Sequence, residues 1–226
     1  MRVNIEMNNK VKLLYEDNLT KLYQGDCRDL DFAQWEIGTV ITGFPYVAQR
    51  TVELDLLNTM APRLQKYLVP GGIFVNTNTD LRKDVKIRLR HFDIIYAFLN
   101  VDMSLYDYRI WDKEMGHNLY RIGFSHILAF HTDFRPRIKR SQVTDDILVG
   151  KALMFGKYHD ANSQSVFRKL IEIYSEEGDT IYDPFVGSGT LLLEARSLGR
   201  KSVGIELDEG IAELARTRLV QVSGKF

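Results

Sequence analysis

Cysteine is almost absent from this chain, and the net charge is zero. The 226 residues contain one cysteine, Cys27, so the chain can form neither an internal disulfide nor a zinc site built from cysteines. The first ten residues are polar and lack the apolar core of a signal peptide. No stretch approaches the roughly 18 apolar residues of a membrane span. These absences predict a cytoplasmic protein that has no membrane partner.

The composition is that of a soluble globular domain. Hydrophobic residues make up 45% of the chain and charged residues 27%, which excludes a disordered chain, a collagen-like repeat and a disulfide scaffold. We predict a single domain over residues 1–226. The 30 basic side chains balance 30 acidic ones, and this balance by itself argues against a nucleic-acid partner.

The charges are distributed unevenly along the chain. Residues 82–140 carry 12 basic and 7 acidic side chains, whereas residues 1–81 and 141–226 are both slightly acidic. Two basic clusters in this middle region suit contacts with phosphates, although a solvated helix face or surface loop is the commoner origin of such clusters. The first cluster contains Arg82, Lys83, Lys86, Arg88 and Arg90, and the second contains Arg135, Arg137, Lys139 and Arg140.

Short β-branched runs alternate with helical stretches, a pattern typical of βα units around a parallel sheet. We predict an α/β, doubly wound, Rossmann-like sheet of about seven strands, mostly parallel with one antiparallel strand near an edge. The predicted strands are 21–24, 39–42, 72–76, 94–98, 126–130, 180–182 and 202–206. The predicted helices are 51–67, 80–90, 163–175, 190–198 and 209–220.

The most informative stretch is TIYDPFVGSGTLLLEARSLGRKSVGIE, residues 180–206. A predicted strand ends at Asp183 and leads through the turn Gly187-Ser188-Gly189 into a helix that begins at Thr190. The glycines permit positive φ and close approach of a ligand, and the helix N-terminus offers free N–H groups. Glu206 ends the next strand, where a carboxylate can bind both hydroxyls of a ribose. A purely structural βα turn is the alternative interpretation.

DPFVGSGT followed by LGRKSVGIEL resembles the S-adenosyl-L-methionine motif of amino-methylating DNA methyltransferases, which act on the exocyclic nitrogen of adenine or cytosine. Its place in the last quarter of the chain resembles the permuted β class, in which the catalytic motif comes first. Further segments resemble family motifs in the expected order over most of residues 20–220. They are Gly25-Asp26, the tetrapeptide Gly43–Tyr46, Pro70-Gly71-Gly72, Trp111–Lys113 and His126–Phe130.

The resemblance implies S-adenosyl-L-methionine as the cofactor, S-adenosyl-L-homocysteine as the product and DNA as the substrate, and it does not separate DNA from RNA. A homodimer or a partner subunit is a further expectation, as is a prokaryotic or phage origin. His159 is about equally suited to a structural role. The residues implied for the cofactor are Asp26, Cys27, His159, Asp183, Pro184, Phe185, Gly187, Ser188, Gly189, Thr190, Glu206 and Leu207.

An exocyclic amino nitrogen is a poor nucleophile, because its lone pair is delocalised into the ring. Hydrogen-bond acceptors around the amino group localise that lone pair, and no metal is required. In the family the tetrapeptide (Asp/Ser/Asn)-Pro-Pro-Tyr supplies a side-chain acceptor, a backbone carbonyl and an aromatic ring that stacks on the flipped base. The implied catalytic residues here are Gly43, Phe44, Pro45 and Tyr46.

This tetrapeptide departs from the family pattern. Gly43 has no side chain to act as acceptor, and Phe44 replaces the first proline. Three interpretations stay open: an active enzyme that takes its acceptor from elsewhere or acts on a nonstandard base, a protein that binds cofactor and nucleic acid without methylating, and an engineered substitution. A nicotinamide-dependent dehydrogenase is a weaker competitor, because the glycine spacing does not suit it.

Residues 131–156 are the candidate segment for target recognition. The neighbourhood of Trp111 interleaves aromatic and basic residues, which suits base stacking and the interior of a sheet equally well. The residues expected to contact nucleic acid are Arg82, Lys83, Lys113, Arg135, Arg137, Lys139 and Arg140.

Overall fold

The computed structural model of the chain describes residues 10–46, 49–83, 86–114, 122–132, 145–151, 153–155, 158–161 and 163–223. For Lys83, residues 153–155, residues 158–161 and Ser223 only the backbone is described. Within these ranges no helix combines the length and the apolar character that crossing a membrane requires.

The described residues form thirteen strands and five helices. The strands are β1 (Lys12–Glu16), β2 (Thr20–Gln24), β3 (Ile37–Thr42), β4 (Leu68–Asn78), β5 (Leu81–Lys83), β6 (Lys86–Arg88), β7 (Ser104–Asp112), β8 (Phe124–His131), β9 (Ile147–Val149), β10 (Leu153–Phe155), β11 (Tyr158–Ala161), β12 (Thr180–Asp183) and β13 (Lys201–Glu206). The helices are α1 (Arg50–Tyr67), α2 (Arg90–Leu99), α3 (Gln164–Tyr174), α4 (Thr190–Ser197) and α5 (Glu209–Ser223).

Nine of these strands form one sheet, in the order β1-β2-β13-β12-β3-β4-β8-β7-β9. The five strands from β2 to β4 are parallel, and β1 and β8 run against their neighbours. The predicted class of fold is confirmed. The sheet has nine strands rather than about seven, and two of them rather than one are antiparallel. The prediction missed β1, β7 and β9, because these strands are half-exposed and lack a continuous apolar run.

Helices cover both faces of the sheet. All six residues of β3 are buried, as expected of a central parallel strand. Alternate residues of β4 enter different cores: Phe74 packs with residues of α1 and α2, whereas Ile73 and Val75 pack with residues of α3 and α4. A third cluster joins α4 to α5. The sheet is therefore doubly wound.

Two predicted elements in the middle of the chain are wrong. Residues 80–90 are not a helix but contain the hairpin β5–β6, and residues 94–98 are not a strand but lie within α2. Ile94, Ala97 and Phe98 are buried at helical spacing, and this burial overrides the β-branched character of the segment. Arg88 of the hairpin forms an ion pair with Glu53 of α1, which is described with the site below.

The pairing of β3 with β12 places the two informative sequence motifs side by side. Residues of the two strands pair in parallel from Ile37 and Thr180 onward, so both strands end at the same edge of the sheet. At that edge the hydroxyl of Thr42 donates a 2.6 Å hydrogen bond to Asp183. Ligands in open α/β sheets bind at such carboxyl ends, where the strand order reverses.

The aromatic core under α2 is expected to dominate stability. The rings of Phe74 and Phe98 stack with centroids 4.0 Å apart, and both side chains are fully buried. Truncating Phe98 to alanine leaves a cavity, so we expect the free energy of unfolding in urea to fall by about 3–5 kcal/mol. Tyr96→Ala, on the same helix but 71% exposed, is the matched control and should change it by about 0.5 kcal/mol or less. Equal losses in both variants would contradict this core assignment.

Candidate active site

A cleft of about 570 Å³ opens at the carboxyl ends of β2, β3, β12 and β13. The loop after each strand contributes to its wall. The cleft brings together several residues that the sequence predicted, including Asp26 and Glu206, two of the three carboxylates proposed to hold the cofactor. It is lined by Gly25, Asp26, Cys27, Arg28, Pro45, Val52, Leu56, Pro184, Phe185, Glu206, Leu207 and Asp208.

The glycine turn between β12 and α4 depends on two positive φ angles. Gly187 has φ 55° and Gly189 has φ 82°, and Gly189 occupies the N-cap position of α4. A Cβ at Gly189 would lie 3.1 Å from the Cβ of Ala215, so a side chain there would also crowd α5. The cleft is not lined by Gly187, Ser188, Gly189 or Thr190. The Gly187 N–H, however, donates a hydrogen bond to Glu206, which does line it.

The carboxylate of Glu206 connects the glycine turn to the next loop. Its Oε2 accepts a hydrogen bond from the Gly187 N–H, and its Oε1 accepts one from the Asp208 N–H, both at 2.9 Å. Each carboxylate oxygen can accept a second bond. The half-buried side chain is thus held rigidly while it keeps acceptor capacity toward the cleft.

Asp26 and Cys27 line the cleft from the loop after β2, the strand next to β13. The Arg28 guanidinium forms hydrogen bonds of 2.6–3.0 Å with both Asp26 oxygens and holds the pKa of that carboxyl below its usual range. Cys27 is buried with its Sγ 3.7 Å from the Met60 sulfur, and burial raises its pKa to about 12. The thiol is therefore neutral and packs as a small apolar group.

Asp183 is an ionisable group buried under the cleft. Its Oδ1 accepts hydrogen bonds from the Thr42 hydroxyl at 2.6 Å and from the Phe185 N–H at 3.0 Å. Burial nevertheless raises its pKa to about 7, because desolvation disfavours the charged form more than these two bonds favour it. Asp183 therefore holds the residues before the glycine turn in place from below the cleft, through its bond to the Phe185 N–H.

The tetrapeptide Gly43–Tyr46 follows β3 beside this turn. The Phe44 ring is buried against Phe74, Phe98 and Phe185, with the Phe185 ring centroid 4.9 Å away. The Tyr46 ring, in contrast, is 63% exposed. A Cβ at residue 43 would lie 3.3 Å from both the carbonyl oxygen and the hydroxyl oxygen of Thr77 on β4.

A buried arginine holds the backbone of this tetrapeptide. The Arg90 guanidinium donates hydrogen bonds to the carbonyls of Phe44 (3.2 Å) and Pro45 (3.0 Å), and it forms a 2.6 Å ion pair with Glu53 of α1. Arg88 at the end of the hairpin also bonds Glu53, which is 1% exposed. Sequence reasoning missed this network and assigned Arg88 and Arg90 to a surface cluster, because no pattern links Glu53 to residues 35 and 37 positions later.

Comparison with known proteins points to one family. Residues 134–217, which contain the glycine turn, match the N6_N4_Mtase family model, described as DNA methylase. The type II methyltransferase M2.DpnII of Streptococcus pneumoniae is 39% identical over 64 residues, covering 28% of this chain and 24% of that protein. M.BsoBI of Geobacillus stearothermophilus is 44% identical over 118 residues, covering 48% of this chain and 22% of that protein. The matches span about a quarter of the length of these curated relatives.

Solved structures share the fold over nearly the whole chain. The cytosine-N4-specific PvuII DNA methyltransferase superposes with a TM-score of 0.79 at 16% identity, covering 95% of this chain and 94% of that one. A Thermus thermophilus protein solved with S-adenosyl-L-methionine has a TM-score of 0.73 at 21% identity. The match covers 91% of this chain and 96% of that one. The resemblance to amino-methylating DNA methyltransferases is confirmed. At these identities the structures themselves show the shared fold.

The residues resembling the W-x-K motif of this methyltransferase family lie inside the protein. Trp111 is buried and its Nε1 donates a 2.7 Å hydrogen bond to the Gly150 carbonyl. Lys113 is 7% exposed, and its ammonium donates to the Thr79 hydroxyl and lies over the Trp111 ring. Trp111 is therefore a core residue, and Lys113 is placed toward the interior rather than toward a phosphate.

The other predicted residues are described to different extents. Arg82 is exposed on β5. His159 lies on β11, of which only the backbone is described, and the same holds for Lys83 on β5. Ser163 occupies the N-cap position of α3, but its hydroxyl makes no capping bond. Most of the segment 131–156 lies outside the described residues, as do Arg135, Arg137, Lys139 and Arg140.

The raised pKa of Asp183 predicts a pH-dependent stability. The folded state holds a proton that the unfolded chain releases above about pH 4, so stability falls as the pH rises toward 7. Asp183→Asn keeps an acceptor for Thr42 and Phe185 but cannot ionise. We expect this variant to gain up to about 4 kcal/mol relative to the natural chain between about pH 4 and pH 8, at about 1.4 kcal/mol per pKa unit.

Urea denaturation at several pH values measures this difference. Asp55→Asn is the control, because Asp55 is 71% exposed. A difference between Asp183→Asn and the natural chain that does not change with pH would show that folding does not raise the pKa of Asp183.

Proposed function

We propose that the protein is an S-adenosyl-L-methionine-dependent DNA methyltransferase that methylates the exocyclic amino group of adenine or cytosine. One observation carries this proposal. The carboxyl ends of β3 and β12 bring a cleft of cofactor size, with a glycine turn and a strand-end carboxylate, next to the segment that resembles the catalytic tetrapeptide.

The cleft has the size and chemistry that this cofactor needs. Its volume of about 570 Å³ lies within the range of small-molecule sites. Glu206 is proposed to accept hydrogen bonds from the ribose hydroxyls, and Asp26 lines the same cleft from the loop after β2. The apolar side chains of Leu56 and Phe185 offer surfaces for the adenine ring. The carboxylates also favour the positively charged sulfonium and amino groups of the cofactor.

The target base is proposed to meet the cofactor at the tetrapeptide. The exposed Tyr46 ring offers a stacking surface to a base flipped from the duplex. The Phe44 carbonyl has a second lone pair beside its bond to Arg90, and this lone pair can accept from the amino group. Arg90 fixes the direction of both carbonyls, which supports positioning of the nitrogen.

Thr77 is the proposed replacement for the side chain that Gly43 lacks. Its hydroxyl oxygen lies 3.3 Å from the position that a Cβ would take at residue 43. It is thus the side-chain acceptor nearest to the place where the aspartate, serine or asparagine side chain of the family begins, and the Thr77 carbonyl oxygen lies at the same distance. A hydroxyl serves as such an acceptor in the serine form of the motif.

DNA contacts are proposed on the side of the sheet that carries the hairpin β5–β6. Arg82 and Lys86 are exposed on its two strands. The segment 131–156 is proposed to recognise the target sequence. Because it is short, we expect a brief recognition sequence or help from a partner subunit or a second copy of the chain.

A second candidate function is cofactor and nucleic-acid binding without methyl transfer. Two observations favour it: Gly43 provides no acceptor, and the Phe44 carbonyl already accepts a hydrogen bond from a buried guanidinium. An RNA substrate is a further variant of the first proposal, since the same chemistry acts on RNA amino groups.

Loss of the Glu206 carboxylate should weaken cofactor binding. Glu206→Ala removes hydrogen bonds to a charged acceptor, so we expect affinity for S-adenosyl-L-methionine to fall roughly 10- to 100-fold. Isothermal titration calorimetry measures this affinity. Glu209→Ala, an exposed site in the first turn of α5, is the control and should bind as the natural chain does. Unchanged affinity in Glu206→Ala would refute its ribose role.

Mass spectrometry of nucleosides, after incubation with labelled cofactor and DNA or RNA, identifies the methylated base. We expect N6-methyladenine or N4-methylcytosine in DNA. Thr77→Val keeps the side-chain shape without the hydroxyl and should lower kcat on the order of a hundredfold, whereas Thr77→Ser should retain most activity. Equal activity of the two variants would exclude Thr77 as the acceptor.

Absence of transfer to any nucleic acid, despite measurable cofactor binding, would instead support the second candidate. In that case Gly43→Ser should restore activity and Gly43→Ala should not, because both add the same Cβ but only serine adds an acceptor. That Cβ lies 3.3 Å from Thr77, so a shift of a few tenths of an ångström accommodates it.

A further inference from the structure

Three side chains that could bind a metal meet beside the tetrapeptide. Asp80 follows β4, His91 lies in the first turn of α2, and His126 lies on β8. Their ligand atoms all lie within 4.8 Å of one another, and among the described residues this is the one group of its kind. The methyl-transfer chemistry does not account for this cluster, and of its three residues only His126 belongs to a segment that resembles a family motif.

The separations within the cluster are close to those of atoms around one ion. The His91 Nδ1 lies 2.8 Å from both Asp80 oxygens, and the His126 Nε2 lies 3.2 Å from Asp80 Oδ2. Zinc bonds to imidazole nitrogen and carboxylate oxygen are about 2.0–2.2 Å long, so neighbouring ligand atoms lie roughly 3–3.5 Å apart. Small movements of the side chains would therefore admit an ion.

The surroundings hold the two imidazoles in place. The second nitrogen of His126, Nδ1, lies 2.7 Å from the Tyr108 hydroxyl, the kind of outer hydrogen bond that orients metal-binding histidines. The His91 and His126 rings stack with centroids 4.0 Å apart. Asp80 and His126 are buried, whereas His91 is 13% exposed and offers a route from solvent.

We propose that Asp80, His91 and His126 bind a zinc ion. Two imidazoles and one carboxylate are a donor set that zinc uses, with the fourth tetrahedral position left for a water or another ligand. The ion would join the end of β4 and the first turn of α2 to β8. His91 directly follows Arg90, so the ion fixes the helical turn whose guanidinium holds the tetrapeptide carbonyls.

Zinc titration of the natural chain tests the site directly. After dialysis against EDTA and removal of the chelator, calorimetry with zinc chloride should show one ion bound per chain. Co²⁺ in place of zinc should give the visible absorption bands of a tetrahedral site. His91→Gln and His126→Gln each remove a ligand and should weaken binding by more than about tenfold, and Tyr108→Phe, which removes only the outer hydrogen bond, by about tenfold.

His131→Gln is the matched control, because His131 lies on the same strand roughly 17 Å beyond His126. It should bind zinc as the natural chain does. Absence of zinc binding to the natural chain, or unchanged affinity in the ligand variants, would show a metal-free hydrogen-bonded cluster and overturn the proposal. If the ligand variants fail to fold, unchanged affinity in Tyr108→Phe together with no cobalt bands is the overturning result. Zinc binding is measured without cofactor or DNA, so its outcome is separate from that of the methyl-transfer assay.

Discussion

The parallel pairing of β3 with β12 is the constraint on which the site depends. The two strands lie more than 130 residues apart in sequence, yet they end at one edge of the sheet, joined by the hydrogen bond from Thr42 to Asp183. This pairing brings the loop after β3 to the loop after β12. Without it, the proposed cofactor cleft would not adjoin the tetrapeptide. Burial of Asp183 at this connection carries a desolvation cost, which is seen in its raised pKa.

The Arg90–Glu53 pair provides a constraint that proline provides in related sequences. A proline fixes φ through its ring, and Phe44 stands where the family carries one. Here the Phe44 ring is buried among aromatic rings, and Arg90 holds the carbonyls of Phe44 and Pro45. A buried ion pair is costly unless its remaining donors are satisfied, and the guanidinium satisfies them with backbone carbonyls. The altered tetrapeptide is therefore ordered by tertiary contacts rather than by its own sequence.

The sequence predicted the elements whose signals are local. The glycine turn, the strand ending at Glu206 and the helices flanking it lie where their capping and breaking residues indicate, and the family resemblance rests on the same residues. The middle of the chain was mispredicted, because the hairpin β5–β6 and helix α2 are decided by contacts with α1 and β4. Ile94 and Phe98 carry strong β propensity, and only burial under the sheet explains their helical conformation. The site residues that sequence reasoning missed, Glu53 and Thr77, belong to no motif.

The difference between local sequence signals and contacts with distant residues also changes the interpretation of the charge distribution. Residues 82–140 have a basic surplus, but part of it points inward. Four of these side chains have partners within the protein and are largely buried: Arg88, Arg90, Arg109 and Lys113. A phosphate-binding surface would therefore depend on the hairpin β5–β6 and on the basic cluster at 135–140. Charge counted along a sequence identifies a region but not its residues, because a guanidinium that pairs with a distant buried carboxylate counts the same as one that faces solvent.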